Sequence, residues 1–151
     1  LAASRAANDM GSPILEQLAA TVLLERPDEA LAERRATIRE QRDHLLSLVR
    51  DRLPDWKFET PPGGLSAWAE LPRPVSTALA VAAREQGVRI APGSLFGVDG
   101  AFERFVRLPY ALPKAELTDV ADRLALAWER IASGSRPLRK VGAPESLTLA
   151  I

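Results

Sequence analysis

The chain has 151 residues, of which 46% are apolar, and its 20 basic side chains are balanced by 20 acidic ones. This composition is typical of a folded globular protein, and the lack of a basic surplus argues against an intact nucleic-acid-binding protein. No cysteine is present, which excludes a disulfide framework, a thiolate metal site and a cysteine nucleophile. A reducing, cytoplasmic location is therefore expected.

The two ends of the chain carry different signals. It opens at Leu1 in the middle of a pattern, and its only methionine is Met10, so we expect a fragment of a longer protein. No apolar run approaches the roughly 20 residues of a membrane-spanning helix, and no signal-peptide pattern is present. We therefore expect no membrane partner. The tail "SRPLRKVGAPESLTLAI" has no period and is predicted to be loose.

Two helices are predicted in the first third of the chain. Ser12 is a suitable N-cap and Pro13 a suitable first residue for a helix of about three turns, whose apolar residues recur at helical spacing. A second start signal, "RPDEA", predicts a long helix that runs to about Leu53. Its narrow apolar stripe and charged remaining faces indicate a connector between two lobes. The stripe consists of Leu31, Ile38, Leu45 and Val49.

After the long helix, the spacing of apolar residues changes from the helical period to the alternation that is typical of short strands. "DWKFE" and "LSAWAEL" are predicted strands that are joined by the turn "TPPGG". A helix follows over "VSTALAVAAREQ" and ends at Gly87. "VRIAPG" and "RFVRLPY" are two further predicted strands around the loop "SLFGVDG", and a last helix covers "KAELTDVADRLALAWERI". This order predicts an α+β fold, with helices on one face of a small, mainly antiparallel sheet.

Few residues are candidates for chemistry. His44 is the only histidine and lies within the long charged helix, so neither a metal site nor a catalytic triad is indicated. Gly63 and Gly64 precede a strand, and they have two explanations. One is a turn that needs a positive φ, and the other is a close approach of the backbone to a ligand.

Arg107 is the main candidate for a binding residue. Strand alternation places Arg107 on one face of the strand with Phe105 and Pro109, so its guanidinium lies among apolar neighbours. A desolvated guanidinium needs a partner, and its planar fork suits a carboxylate bound through two hydrogen bonds. The alternative is an edge-strand arginine that pairs with Glu103 or with water.

Several segments together carry a resemblance to a known family. In chain order they are "RAANDMGSPILEQLAATVLLE", "PPGGLSAWAELP", "EQGVRIAPGSLFG", "RFVRLPYA" and the final amphipathic helix. Their combination resembles the C-terminal part of fold-type I pyridoxal-phosphate enzymes, the aspartate aminotransferase superfamily. Within it, the chain is most similar to the aminotransferase-like domain of MocR-type transcriptional regulators of the GntR family.

The resemblance implies a domain organisation. Residues 1–29 would be the end of the large cofactor-binding domain. Residues 30–133 would form the small C-terminal domain of the aminotransferase fold, entered through the long connecting helix. Residues 134–151 would be a loose tail.

The resemblance also implies site residues. Arg107 falls on the arginine that clamps the α-carboxylate of an amino-acid ligand held on the cofactor. Gly63, Gly64 and Phe96 would lie near that ligand. The family holds pyridoxal 5'-phosphate as a Schiff base on a lysine after a strand and a serine-rich turn, a context that Lys57, Lys114 and Lys140 all lack. No catalytic residue is therefore expected in this chain.

Three functions follow as expectations. The first is an effector domain of a MocR-type regulator, in which pyridoxal phosphate and an amino-acid or amine effector bias DNA binding by an absent N-terminal domain. The second is part of a true aminotransferase, which moves an amino group between an amino acid and a 2-oxo acid. In either of these two cases the full-length protein would be a homodimer. The third is a self-standing interaction domain without a cofactor.

Overall fold

A computed structural model describes residues 13–133 and 147–148 of the chain. Helix α1 spans Ile14–Glu25, with Pro13 at its N-cap position, one residue later than the sequence predicts. Helix α2 spans Pro27–Arg52 and has acidic residues in its first turn and arginines in its last, as the helix dipole favours. The predicted N-cap, Ser12, lies outside the described residues.

The described residues divide into two compact units between Thr37 and Ile38, inside α2. The resemblance places the boundary earlier, after residue 29. In the first unit, α1 buries none of its residues, and its large apolar side chains are all exposed. Ile14, Leu15, Leu18, Val22, Leu23 and Leu24 make up this exposed set.

The second unit contains short strands and two further helices. The strands are β1 (Lys57–Phe58), β2 (Ser66–Glu70), β3 (Val88–Arg89), β4 (Ala91–Pro92), β5 (Phe105–Pro109) and β6 (Leu147–Thr148). Helix α3 spans Ser76–Glu85 and helix α4 spans Lys114–Ala132. Gly87 follows α3 with a φ of 78°, as the predicted helix end requires. A 3-10 helix, Gly93–Phe96, occupies part of the predicted loop.

Four strands form an antiparallel sheet in the order β1-β2-β5-β4. Strand β3 pairs in parallel with β6, a pairing that the sequence does not predict because the tail has no strand period. The rest of the tail, 134–146 and 149–151, lies outside the described residues. Within this unit the prediction of an α+β fold with a mainly antiparallel sheet is confirmed.

The core lies between the sheet and the helices. One face of the sheet is buried through Ala67, Ala69, Val106 and Leu108. The second half of α2 and the apolar faces of α3 and α4 belong to the same buried cluster, and Trp56 meets Trp128 edge-on at 5.5 Å within it. Because the helices bury this face, the alternate residues of β2 and β5 emerge on the opposite face of the sheet.

Candidate carboxylate-binding site

The opposite face of the sheet carries the candidate site. Ser66 and Trp68 of β2 alternate with the buried alanines, and Phe105 and Arg107 of β5 alternate with Val106 and Leu108. In the antiparallel register Trp68 lies directly opposite Arg107. The four side chains therefore share one surface, as the predicted alternation of β5 requires for Phe105 and Arg107.

Arg107 is held in place by its neighbours. Its Nε donates a hydrogen bond to the Oγ of Ser66 at 3.0 Å, and its guanidinium carbon lies 6.0 Å from the ring centroid of Phe96. Strand β5 lies between β2 and β4, so Arg107 is half-buried in the middle of the sheet rather than on an edge strand. Among residues 13–133, no acidic side chain forms a salt bridge with it.

Glu103, the alternative partner of Arg107, is engaged elsewhere. Its carboxylate accepts hydrogen bonds from the hydroxyl of Ser76 at 2.9 Å, from the backbone N–H of Thr77 at 3.1 Å and from the Thr77 hydroxyl. The pKa of Glu103 lies below its ordinary value, chiefly because of the Thr77 hydroxyl and then the Thr77 N–H, while burial acts in the opposite direction. Glu103 thus caps the start of α3 and leaves Arg107 without this partner.

Aromatic rings surround the arginine. Trp68 stacks on Phe105 with 5.6 Å between ring centroids, and it meets Phe96 and Phe102 edge-on at 5.5 and 6.0 Å. Together with Arg107, some of these rings line an open cavity of about 540 Å³. The lining residues are Ser66, Ala67, Trp68, Phe96, Phe102 and Arg107.

Gly63 and Gly64 lie in the turn before β2 and do not line this cavity. Gly64 has a φ of 87°, which favours glycine, and a Cβ added at either residue would meet nothing within 4 Å. The carbonyl of Gly63 accepts a hydrogen bond from the buried Tyr110 hydroxyl at 3.2 Å, and burial raises the pKa of Tyr110. The turn explanation therefore has structural support, and proximity of these glycines to a ligand stays a prediction.

Phe96 shares the cavity with Arg107, whereas sequence reasoning missed Ser66, Trp68 and Phe102. The alternation within "LSAWAEL" could have placed Ser66 and Trp68 on one face, but the sequence does not reveal the register that sets them beside Arg107. Phe102 lies in a loop whose residues show no periodic spacing, so no sequence pattern indicates that it lies beside Arg107.

The lysines of the described residues do not line this cavity, although Lys57 lines a neighbouring pocket that shares Ser66 and Trp68 with it. Lys57 is exposed on β1, and Lys114 pairs with Glu40 of α2 at 2.9 Å. Lys140 lies outside the described residues. The side chains beside Arg107 thus suit the carboxylate of a ligand, but they offer no amine for a Schiff base.

The chain is similar in sequence and structure to known aminotransferases. A 2-aminoadipate transaminase from Thermus thermophilus is 32% identical over 106 residues, which are 68% of this chain and 27% of that protein. The crystal structure of an alpha-aminoadipate aminotransferase from Thermus thermophilus, complexed with N-(5'-phosphopyridoxyl)-L-leucine, has a TM-score of 0.75 and 30% identity; the match covers 87% of this chain and 34% of that one. The chain has an aminotransferase-like fold.

A more distant structure agrees on the aminotransferase-like fold. The multiple substrate aminotransferase from Thermococcus profundus has a TM-score of 0.65 and 23% identity, over 71% of this chain and 27% of that one. No protein-family model matches the chain. The aminotransferase-like chain spans about a quarter of the length of its curated relative. No helix in the described part of it is long and apolar enough to cross a membrane.

Proposed function

We propose that this chain binds the α-carboxylate of an amino-acid ligand through Arg107, within an aminotransferase-like protein. The observation that carries the proposal is a half-buried guanidinium that lines a cavity, is oriented by Ser66 and forms no salt bridge with the described acidic residues. A partly desolvated arginine is stabilised by a bidentate carboxylate more than by water alone.

Pyridoxal phosphate is the proposed cofactor of the full-length protein. A pyridoxyl compound is bound in the Thermus thermophilus structure. Among residues 13–133, neither Lys57 nor Lys114 lines the cavity of Arg107, so the described lining does not supply the Schiff-base anchor. This chain would therefore contribute the carboxylate clamp, and other residues would hold the cofactor.

Two activities of the full-length protein are consistent with such a clamp. Amino transfer between an amino acid and a 2-oxo acid is supported by the transaminase names of the similar proteins. Effector binding in a MocR-type regulator is supported by the resemblance of the motifs, and it would require a DNA-binding domain elsewhere in a cytoplasmic, homodimeric protein. Steady production of 2-oxo acid by the full-length protein would support the enzyme and contradict a purely regulatory role.

The clamp is tested by replacing Arg107 in the full-length protein. Arg107→Ala should weaken binding of L-leucine by about 2–4 kcal/mol, because a charge-assisted bidentate contact is lost. Binding of 3-methylbutylamine, which lacks the carboxylate, should not change. Arg89→Ala, which removes an exposed arginine of β3, is the matched control and should leave both affinities unchanged. Unchanged L-leucine affinity in Arg107→Ala would rule out the clamp.

A further inference from the structure

The ring-lined side of the cavity indicates which ligands suit Arg107. We propose that the ligand carries an aromatic or bulky apolar side chain, which packs against an aromatic wall formed by Trp68, Phe96 and Phe102. This inference rests on the proposed carboxylate clamp, and it adds the substrate class. The class is that of aromatic and large apolar amino acids rather than acidic ones.

The lining of the cavity has a polar part and an apolar part. Arg107 and the hydroxyl of Ser66 make up the polar part, and the aromatic wall makes up most of the rest. The rings contact one another edge-on around Trp68, so several ring edges and faces remain available to a further group. A carboxylate that is attached to an apolar group matches both parts at once.

The three side chains of the aromatic wall are partly exposed in this chain. Trp68, Phe96 and Phe102 are 37%, 43% and 47% exposed, respectively. Contiguous apolar surface in water is unfavourable. A bound apolar side chain would remove this surface from water.

The backbone of the loop is shaped to hold the Phe102 ring in the wall. Phe102 has a φ of 62°, a left-handed conformation that is unfavourable for a non-glycine residue. Gly97 leaves room for that ring, since a Cβ there would lie 2.8 Å from it. Gly93 likewise admits the Phe102 carbonyl, which would lie 2.0 Å from an added Cβ. The loop thus keeps a strained conformation that places an aromatic ring beside Arg107.

Acidic side chains are disfavoured by the same lining. Arg107 is the only cation among the described residues that line the cavity. Within this lining, the second carboxylate of a ligand such as 2-aminoadipate would face aromatic rings and meet no countercharge, which is unfavourable. In this respect the chain is expected to differ from the Thermus thermophilus relative that is named for 2-aminoadipate.

Carboxylates without an amino group test the inference separately from cofactor chemistry. We would measure the affinities of the full-length protein for 3-phenylpropionate, propionate and glutarate by calorimetric titration. 3-Phenylpropionate should bind about tenfold more tightly than propionate, because its ring contacts the aromatic wall. Glutarate should bind no more tightly than propionate.

Substitutions in the aromatic wall test whether its rings cause the preference for 3-phenylpropionate over propionate. Trp68→Leu keeps apolar bulk but removes the ring, and it should reduce the preference for 3-phenylpropionate to less than about threefold. Phe96→Leu should act in the same direction and serves as a second test if Trp68→Leu does not fold. Leu95→Ala, which changes an exposed neighbour that does not line the cavity, should keep the preference.

The two proposals fail in distinguishable ways. Equal affinities for 3-phenylpropionate and propionate, both lost in Arg107→Gln, would overturn the aromatic preference and leave the clamp intact. A preference that persists in both Trp68→Leu and Phe96→Leu would also overturn the aromatic wall. Carboxylate binding that does not depend on Arg107 would overturn both proposals.

Discussion

Arg107 and Ser66 lie on adjacent antiparallel strands, and the arginine Nε donates a hydrogen bond to the serine hydroxyl at 3.0 Å. Because this bond uses Nε, the two terminal nitrogens of the guanidinium remain for a ligand. Ser66→Ala should therefore lower carboxylate affinity in the full-length protein about fivefold, because the guanidinium loses the hydrogen bond that orients it. Titration with 3-phenylpropionate measures this change.

Ser66→Thr is the matched control for that prediction. Threonine keeps a hydroxyl at the same position and suits a strand, so its affinity should stay close to that of the unchanged protein. If Ser66→Ala binds as tightly as Ser66→Thr, the hydrogen bond does not orient Arg107 for binding.

The two glycines before β2 should respond differently to alanine. Gly64 has a φ of 87°, so Gly64→Ala should lower the free energy of unfolding by about 1 kcal/mol. Gly63 does not have a positive φ, and an added Cβ would meet open space, so Gly63→Ala should change stability by less than about 0.5 kcal/mol. Urea denaturation compares the two variants.

Ligand titration of the same pair separates the two explanations of this turn. A loss of carboxylate affinity in Gly63→Ala without a loss of stability would show that the ligand approaches the backbone there. Equal destabilisation by both variants would contradict the role assigned to the φ of Gly64.

The sequence predicts the elements of this fold better than it predicts the site. Alternation correctly separates Val106 and Leu108 from Phe105 and Arg107, because burial of one sheet face imposes a period of two. Which residues lie beside Arg107 depends on the register of β5 against β2, and that register arises from packing across the sheet. Local sequence cannot reveal it.

The partner of Glu103 is a second case that local sequence could not resolve. Proximity in sequence suggested Arg107, four residues away. The chain instead turns after the 3-10 helix and brings Glu103 to the start of α3, where Thr77 and Ser76 donate to it. A helix N-terminus is a favourable place for a carboxylate, and this non-local contact takes precedence over the local pair.

The capping role of Glu103 makes a pH-dependent prediction. Its pKa is lowered in the folded protein, so the stability it contributes is present above the unfolded pKa, roughly 4.3, and is lost as the pH falls through the folded value. Glu103→Gln should remove that part of the pH dependence and lower stability at pH 7 by about 1 kcal/mol. Urea denaturation between pH 7 and pH 3 measures both effects.

The exposed Glu129 of α4 offers a control for this substitution. Glu129→Gln removes the same charge from the same unit, and it should keep the pH dependence of the unchanged protein. Parallel pH profiles for the unchanged protein and Glu103→Gln would show that the carboxylate of Glu103 does not stabilise the start of α3.

Two leucines of α4 test whether this helix packs on the sheet as described. Leu124 is 1% exposed and Leu126 is 51% exposed. Leu124→Ala should lower the free energy of unfolding by about 2–5 kcal/mol, because it leaves a cavity in the core, whereas Leu126→Ala should change it by less than about 0.5 kcal/mol. Fluorescence of the buried pair Trp56 and Trp128 follows urea unfolding of this unit. Equal effects of the two substitutions would contradict the packing of α4.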